Sequence, residues 1–145
     1  MLRTTSSIPM RLSRLFIPSI ALAITAGCAS TSVVPCPTGE QPVVLDSLYF
    51  GAAKSGGVVT AEDWMGFLND IVVPNFPEGL TSWSAAGRWR NSAGLVEHET
   101  SYVLQLAHHG SEERDLAVQR IIHRYKRDFQ QESVMRIRSR ACRSF

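Results

Sequence analysis

The sequence lacks several features that would indicate a membrane-spanning, multidomain or nucleic-acid-binding protein. Its N-terminal apolar run, Leu15 to Ala26, has about 12 residues, whereas about 20 are needed for a membrane-spanning helix. The length of 145 residues is that of one domain, which excludes a multidomain enzyme. There is also little excess charge, because from Cys28 onward 12 basic residues stand against 13 acidic ones. Affinity for nucleic acid is therefore not expected.

Motifs of common enzymes are absent as well. There is no Gly-x-Ser-x-Gly nucleophile elbow. The glycine-rich segment 51–57 has alanine rather than glycine directly before Lys54, so it does not match a phosphate-binding loop. Glu62 and Asp63 after it would also repel a phosphate. The four histidines are too scattered to predict a metal site: His98, His108, His109 and His123. We therefore predict no catalytic residue, cofactor or metal. The sequence favours a protein that is not an enzyme, without deciding the question.

The first 27 residues have the pattern of an export signal. Three arginines and no acid precede the apolar run: Arg3, Arg11 and Arg14. Ala26-Gly27 then leads directly into Cys28, which resembles a bacterial lipobox, in which the cysteine is lipidated and becomes the mature N-terminus. We predict a signal peptide over residues 1–27, lipidation of Cys28 and a tether over residues 28–42. The alternative is an ordinary signal-peptidase site near Cys28.

The predicted export signal and lipidation site indicate where the protein is located and in which redox state its other two cysteines are. A lipid on Cys28 anchors the protein at the periplasmic side of a membrane. Ala29 rather than Asp follows that cysteine, as in outer-membrane lipoproteins, so we expect the outer rather than the inner membrane. In this oxidising compartment, Cys36 and Cys142 are expected to form a disulfide rather than remain free thiols or bind metal.

The periodicity of the remaining chain predicts six elements in the order βαββαβ. Helices start at the N-caps Thr60 and Ser111 and carry apolar stripes of helical spacing. Strands are predicted over residues 43–51, 80–90, 95–108 and 133–140. This order predicts an α+β, ferredoxin-like sandwich over residues 43–145, with two helices on one face of a four-stranded antiparallel sheet. The last strand then lies beside the first, which brings Cys36 and Cys142 together.

The middle strands are predicted to form a hairpin around residues 91–94. If Arg90 pairs with Leu95, Arg88 faces Glu97 across the hairpin, an opposite-charge pair that favours this register.

Six motifs in order resemble one family. They are Leu48-Tyr-Phe-Gly51, Trp64-x-x-Phe-Leu68, Pro74-x-Phe-Pro-x-Gly-Leu-Thr81, Gly87-x-Trp-Arg90, Gln131-Glu-Ser-Val134 and Cys142-x-Ser-Phe145. Together they resemble an uncharacterised bacterial family, domain of unknown function 3574, over residues 40–145. The resemblance implies a small exported protein, often a lipoprotein, and implies no catalytic residue.

The last strand carries a stripe of arginines. Arg136, Arg138 and Arg140 alternate with apolar residues, and we expect them on the sheet face away from the helices. Residues 114–145 hold 9 basic and 3 acidic residues, so the stripe lies in a basic half of the chain. Two interpretations remain open: the stripe binds an anionic envelope component or partner, or it protects an edge strand from pairing.

The first strand is apolar on both faces, which indicates that something covers the open face of the sheet. Trp83, Trp89 and Tyr102 are candidates to line a pocket there, enclosed by a homodimer. We therefore predict a lipid-anchored envelope protein that acts as a binding or interaction module. The alternative is a dimeric α+β barrel enzyme or small-molecule binder with its pocket under the open sheet face.

Overall fold

The computed structural model describes residues 35–90 and 93–145. The predicted signal peptide, Cys28 and most of the predicted tether lie outside the described residues. In chain order the elements are β1 (Gln41–Gly51), β2 (Ala53–Lys54), β3 (Gly57–Val58), α1 (Ala61–Phe67), β4 (Thr81–Arg90), β5 (Val96–His108), α2 (Glu112–Asp128) and β6 (Val134–Arg143).

Four long strands form one antiparallel sheet in the order β4-β5-β1-β6. The first strand therefore lies between β5 and the last strand, and its pairs with β6 include Pro42 with Cys142 and Leu48 with Arg136. This confirms the α+β class, the four-stranded antiparallel sheet and the two helices. The strands β2 and β3 form a separate small hairpin, which the sequence analysis did not predict.

Both helices begin where the sequence predicts. The Thr60 hydroxyl accepts a hydrogen bond from the Asp63 backbone N–H at 3.1 Å, and the Asp63 carboxylate accepts one from the Thr60 N–H at 3.0 Å. This reciprocal capping box satisfies two backbone donors at the start of α1. A π-helical turn, Leu68–Val72, then continues α1 towards Pro74. At the start of α2, the Ser111 hydroxyl accepts from the Arg114 N–H at 3.3 Å.

The core is an aromatic cluster around Phe50, in the centre of β1. Its ring centroid lies 5.1 Å from that of Trp64 in α1 and 4.6 Å from that of Tyr125 in α2. All three side chains are buried. Because both helices contact the same strand residue, they cover the same face of the sheet. Neither of these two helices covers the other face, which we call the open face.

The alternation of side chains along the strands then assigns every residue to a face. Even-numbered positions of β1, such as Leu48 and Phe50, point to the helices, and odd-numbered positions, such as Tyr49, point to the open face. Directly paired residues of neighbouring strands lie on the same face, so the register extends this assignment across the sheet.

A disulfide closes the end of the sheet. Cys36 and Cys142 are bonded, with their Cα atoms 5.6 Å apart, as predicted. The disulfide links the segment before β1 to the end of β6, where β1 and β6 already pair with each other. No helix among residues 35–90 and 93–145 is long and apolar enough to cross a membrane.

Candidate functional site

The arginine stripe lies on the opposite face from the one predicted. Arg136 pairs with Leu48 and Arg138 with Asp46, and both partners point towards the helices. The prediction that the stripe faces away from the helices is therefore wrong. The stripe faces the helices because an acid is buried there. Asp46 is inaccessible to solvent on the helix side of β1 and requires positive partners on that side.

Asp46 is the centre of a cluster of charged side chains. Arg136 donates to its carboxylate through Nε and Nη2, at 2.8 Å each. Arg138 lies 3.4 Å from the same carboxylate. Both guanidinium groups also contact Asp115 at the start of α2, each at 2.7 Å. The two arginines thereby tie β6 to β1 and to α2, and their charges are matched by two carboxylates.

The second buried member of this cluster is His108, at the end of β5. Its Nε2 lies 2.9 Å from the Asp46 carboxylate and its Nδ1 lies 2.7 Å from the His109 carbonyl oxygen. His108 thereby links the buried Asp46 carboxylate to the backbone at the end of β5.

The environment shifts the pKa values of this cluster. Burial by itself would raise the pKa of Asp46, but hydrogen bonds from Arg136 and His108 and the charges of the two arginines lower it below its ordinary value. Hydrogen bonding to Arg136 likewise lowers the pKa of Asp115. Asp46 raises the pKa of Arg136 in turn. The cluster is therefore charged at neutral pH and holds the sheet edge to α2.

This arrangement decides how much of the stripe is available to a partner. Arg136 and Arg138 form ion pairs within the protein, although the Arg138 side chain is 41% exposed. Arg140 is exposed and forms no ion pair among the described residues. Sequence reasoning missed Asp46 and His108. The signal for Asp46 was present, since it is the only charged residue in the predicted strand 43–51.

The predicted pocket residues do not meet. Tyr102 is buried on the helix side, where its ring stacks on Trp64 with centroids 4.8 Å apart. Trp83 pairs with Val103 and lies on the open face, as does Trp89. These two tryptophans are six residues apart on one strand, about 20 Å. A single pocket lined by all three residues is therefore excluded by strand alternation.

The open face of the sheet is instead a broad, nearly uncharged surface. One row of paired residues crosses all four strands: Trp83, Val103, Tyr49 and Met135. Trp83 is 43% and Met135 55% exposed. The neighbouring rows carry mostly small or uncharged residues: Thr81, Gln105, Ser47, Ile137, Leu45, Ala107 and Ser139. Charge is confined to the two ends, with Glu97 and Glu99 at one and Arg143 at the other.

The hairpin register differs from the predicted one by a single residue. Arg90 pairs with Val96 rather than Leu95, so Arg88 faces His98 instead of Glu97. The far part of this hairpin bounds a surface groove of about 520 Å³, between residues 84–88 and 98–100. A second groove of about 410 Å³ lies between the helices and is lined mainly by acids and Phe67. Within the described ranges, no His, Cys, Asp and Glu side chains are grouped to hold a metal ion.

Comparison with known proteins gives a family and a fold. The model of a family described as "Protein of unknown function (DUF3574)" matches residues 46–145. No curated protein matches this sequence. Among solved structures, a phage SAM lyase in complex with S-methyl-5'-thioadenosine is similar, with a TM-score of 0.55 and 16% identity, covering 71% of this chain and 90% of that one. The same lyase in its apo state has a TM-score of 0.53 and 16% identity, covering 79% and 97% of the two chains. At this identity the likeness concerns the fold.

Proposed function

Since the chain belongs to the DUF3574 family, whose function is unknown, we propose a function from its geometry: a lipid-anchored protein of the cell envelope that acts as an interaction module through its open sheet face. The observation that carries this proposal is the uncharged row of Trp83, Val103, Tyr49 and Met135 across all four strands. Val103 is buried in the middle of this row, whereas Trp83 and Met135 at its two ends are 43% and 55% exposed. Large apolar side chains exposed on one face of a folded domain are typical of an interface. The lipobox-like sequence at Cys28 supports the anchor and the periplasmic address.

We propose a ferredoxin-like architecture for this module. The strand order β4-β5-β1-β6 supports it, together with the two helices that meet on one face around Phe50. In this arrangement the sheet is covered on one side only, so the open face is available to a partner.

The proposed partner on the open face is a second copy of the same chain. The face is four strands wide and about eight residues long, which gives roughly 500 Å² per copy and about 1,000 Å² in total, the size of a small specific interface. The charges at its ends also complement each other. When two copies pack with antiparallel strands, Glu97 and Glu99 of one copy approach Arg143 of the other.

The test introduces one charge into the centre of this face. Met135→Lys places a lysine in the row, and Val58→Lys, at a similarly exposed position on the small hairpin, is the matched control (55% and 58% exposed). Both are made in the mature chain with Cys28→Ser, which leaves the rest of the chain intact. Native mass spectrometry should show a dimer for the parent and the control, and a monomer for Met135→Lys. A parent that is monomeric at about 100 µM would exclude the second copy as the partner.

A small-molecule binder is the second candidate, favoured by the fold likeness to a lyase that was solved with S-methyl-5'-thioadenosine. The half-exposed ring of Trp83 is suited to stack on a planar base. Titration with S-methyl-5'-thioadenosine should then quench tryptophan fluorescence in the parent and less in Trp83→Leu. An unchanged spectrum at millimolar nucleoside would reject this candidate and leave the interaction module.

A further inference from the structure

Near the turn of the β4–β5 hairpin, the basic side chains lie on one face and the acidic side chains on the other. Arg88 pairs with His98, while the adjacent positions pair Trp89 with Glu97 and Gly87 with Glu99. Since successive residues of a strand point to opposite faces, Arg88 and His98 lie on one face and the two glutamates on the other. The register that the sequence favoured would have neutralised Arg88 with Glu97. The register in the structure leaves it opposite a histidine.

No acid compensates this basic face within the described chain. Neither Arg88 nor His98 forms an ion pair with any described residue, and both are exposed. Glu99 borders the groove from the opposite face, where its carboxylate accepts a hydrogen bond from the Ala53 backbone N–H at 3.2 Å and keeps its negative charge. Arg90, on the same face as Arg88, donates to the Gly94 carbonyl at 2.7 Å and supports the turn. The guanidinium of Arg88 is therefore free to donate to a ligand, with His98 beside it, and Arg90 adds a second positive charge on the same face.

Small residues leave room next to that charge. Ala86 pairs with Thr100 and Ser84 with Tyr102, so two hydroxyl groups and a methyl group lie along the same face as Arg88. Together they bound the groove of about 520 Å³. A phosphate group fits this chemistry, because a planar guanidinium donates to two of its oxygens while serine and threonine hydroxyls donate to others.

We infer that this groove binds the phosphate group of a small ester, with Arg88 as the charged donor and Ser84 and Thr100 as neutral ones. Two sources have this chemistry in a cell envelope: a free phosphate ester and the headgroup of a phospholipid. The site lies outside the row on the open face, so it does not depend on the proposed dimer.

The experiment compares two arginines of the same charge in the mature chain carrying Cys28→Ser. Arg88→Gln removes the proposed donor, and Arg140→Gln removes an exposed, unpaired arginine at a distant edge. Binding of glycerol 3-phosphate is measured by calorimetry at low ionic strength. We expect Arg88→Gln to weaken it at least about tenfold, as for loss of a charge-assisted hydrogen-bond pair, and Arg140→Gln to leave it within about twofold.

A second arm identifies the source of the phosphate. The protein is sedimented with vesicles of phosphatidylglycerol and, separately, of phosphatidylcholine alone. Sedimentation with phosphatidylglycerol only, lost in Arg88→Gln, assigns the site to a lipid headgroup. Binding of glycerol 3-phosphate without sedimentation assigns it to a free ester. The inference is overturned if neither probe binds, or if the two variants lose binding equally, since a general charge effect would then explain both.

Discussion

Replacing Asp46 by asparagine isolates the contribution of the buried charge cluster. Asparagine keeps the shape of the side chain but removes the negative charge that Arg136 contacts through two nitrogens at 2.8 Å each and His108 through one at 2.9 Å. Removing one member of a buried ion pair destabilises a protein by about 3–5 kcal/mol, because the remaining charge is left uncompensated.

The structure places the expected loss at the lower end of that range. The Arg136 side chain is 19% exposed and keeps its contact with Asp115, so the charge of Arg136 is left only partly uncompensated. We therefore expect the free energy of unfolding to fall by about 3 kcal/mol. With a urea dependence of about 1.5 kcal/mol per M, the midpoint of unfolding should fall by about 2 M.

The assay is urea unfolding at pH 7, followed by tryptophan fluorescence, on the oxidised mature chain. Asp128→Asn is the control, because Asp128 forms an ion pair with Arg124 on the surface of α2 and such pairs contribute at most about 1 kcal/mol. If Asp46→Asn loses less than about 1 kcal/mol, or no more than the control, the charge cluster around Asp46 does not stabilise the fold.

The same variant should change the response to acid. The pKa of Asp46 in the folded protein lies below the ordinary value of 3.8, so its contribution to stability is complete above that value. It is lost as the pH falls through the lower folded pKa. The parent should therefore lose stability steeply below about pH 4, and Asp46→Asn should show a shallower decline. Parallel acid limbs in the two proteins would argue against a charged Asp46.

Two further predictions concern the disulfide and the aromatic core. The bond between Cys36 and Cys142 spans 106 residues, so reduction or Cys142→Ser should lower the unfolding free energy by about 3–5 kcal/mol in a urea titration; equal midpoints with and without reductant would contradict this. Burial raises the pKa of Tyr125, whose hydroxyl donates to the Gly51 carbonyl at 2.9 Å. The contribution of Tyr125 to stability is complete below the ordinary pKa of 10.0 and is lost as the pH rises through the folded pKa. Spectrophotometric titration should therefore leave Tyr125 un-ionised until the protein unfolds.

The sequence alone identified the secondary structure, the disulfide and the family. Helix starts depend on local chemistry, as at Thr60, where the cap hydroxyl and the following acid are three residues apart. Strand and helix periodicities are equally local, which is why the long elements agree with their predicted positions to within a few residues. The lipidation of Cys28 also follows from local sequence and stays a prediction, since that residue lies outside the described part of the chain.

The surfaces that support a function required the tertiary structure. Whether Arg136 faces a partner or a buried acid depends on the register between β6 and β1, and Asp46 is 90 residues away in sequence. A register shift of one residue in the β4–β5 hairpin decides whether Arg88 is neutralised by Glu97 or left opposite His98. Alternation along a strand is encoded locally, but which face is inside and which residue lies opposite are set by packing between distant segments. The sequence therefore determined the secondary-structure elements and the predicted cellular location of the protein. Only the folded sheet determined which side chains are available to a partner.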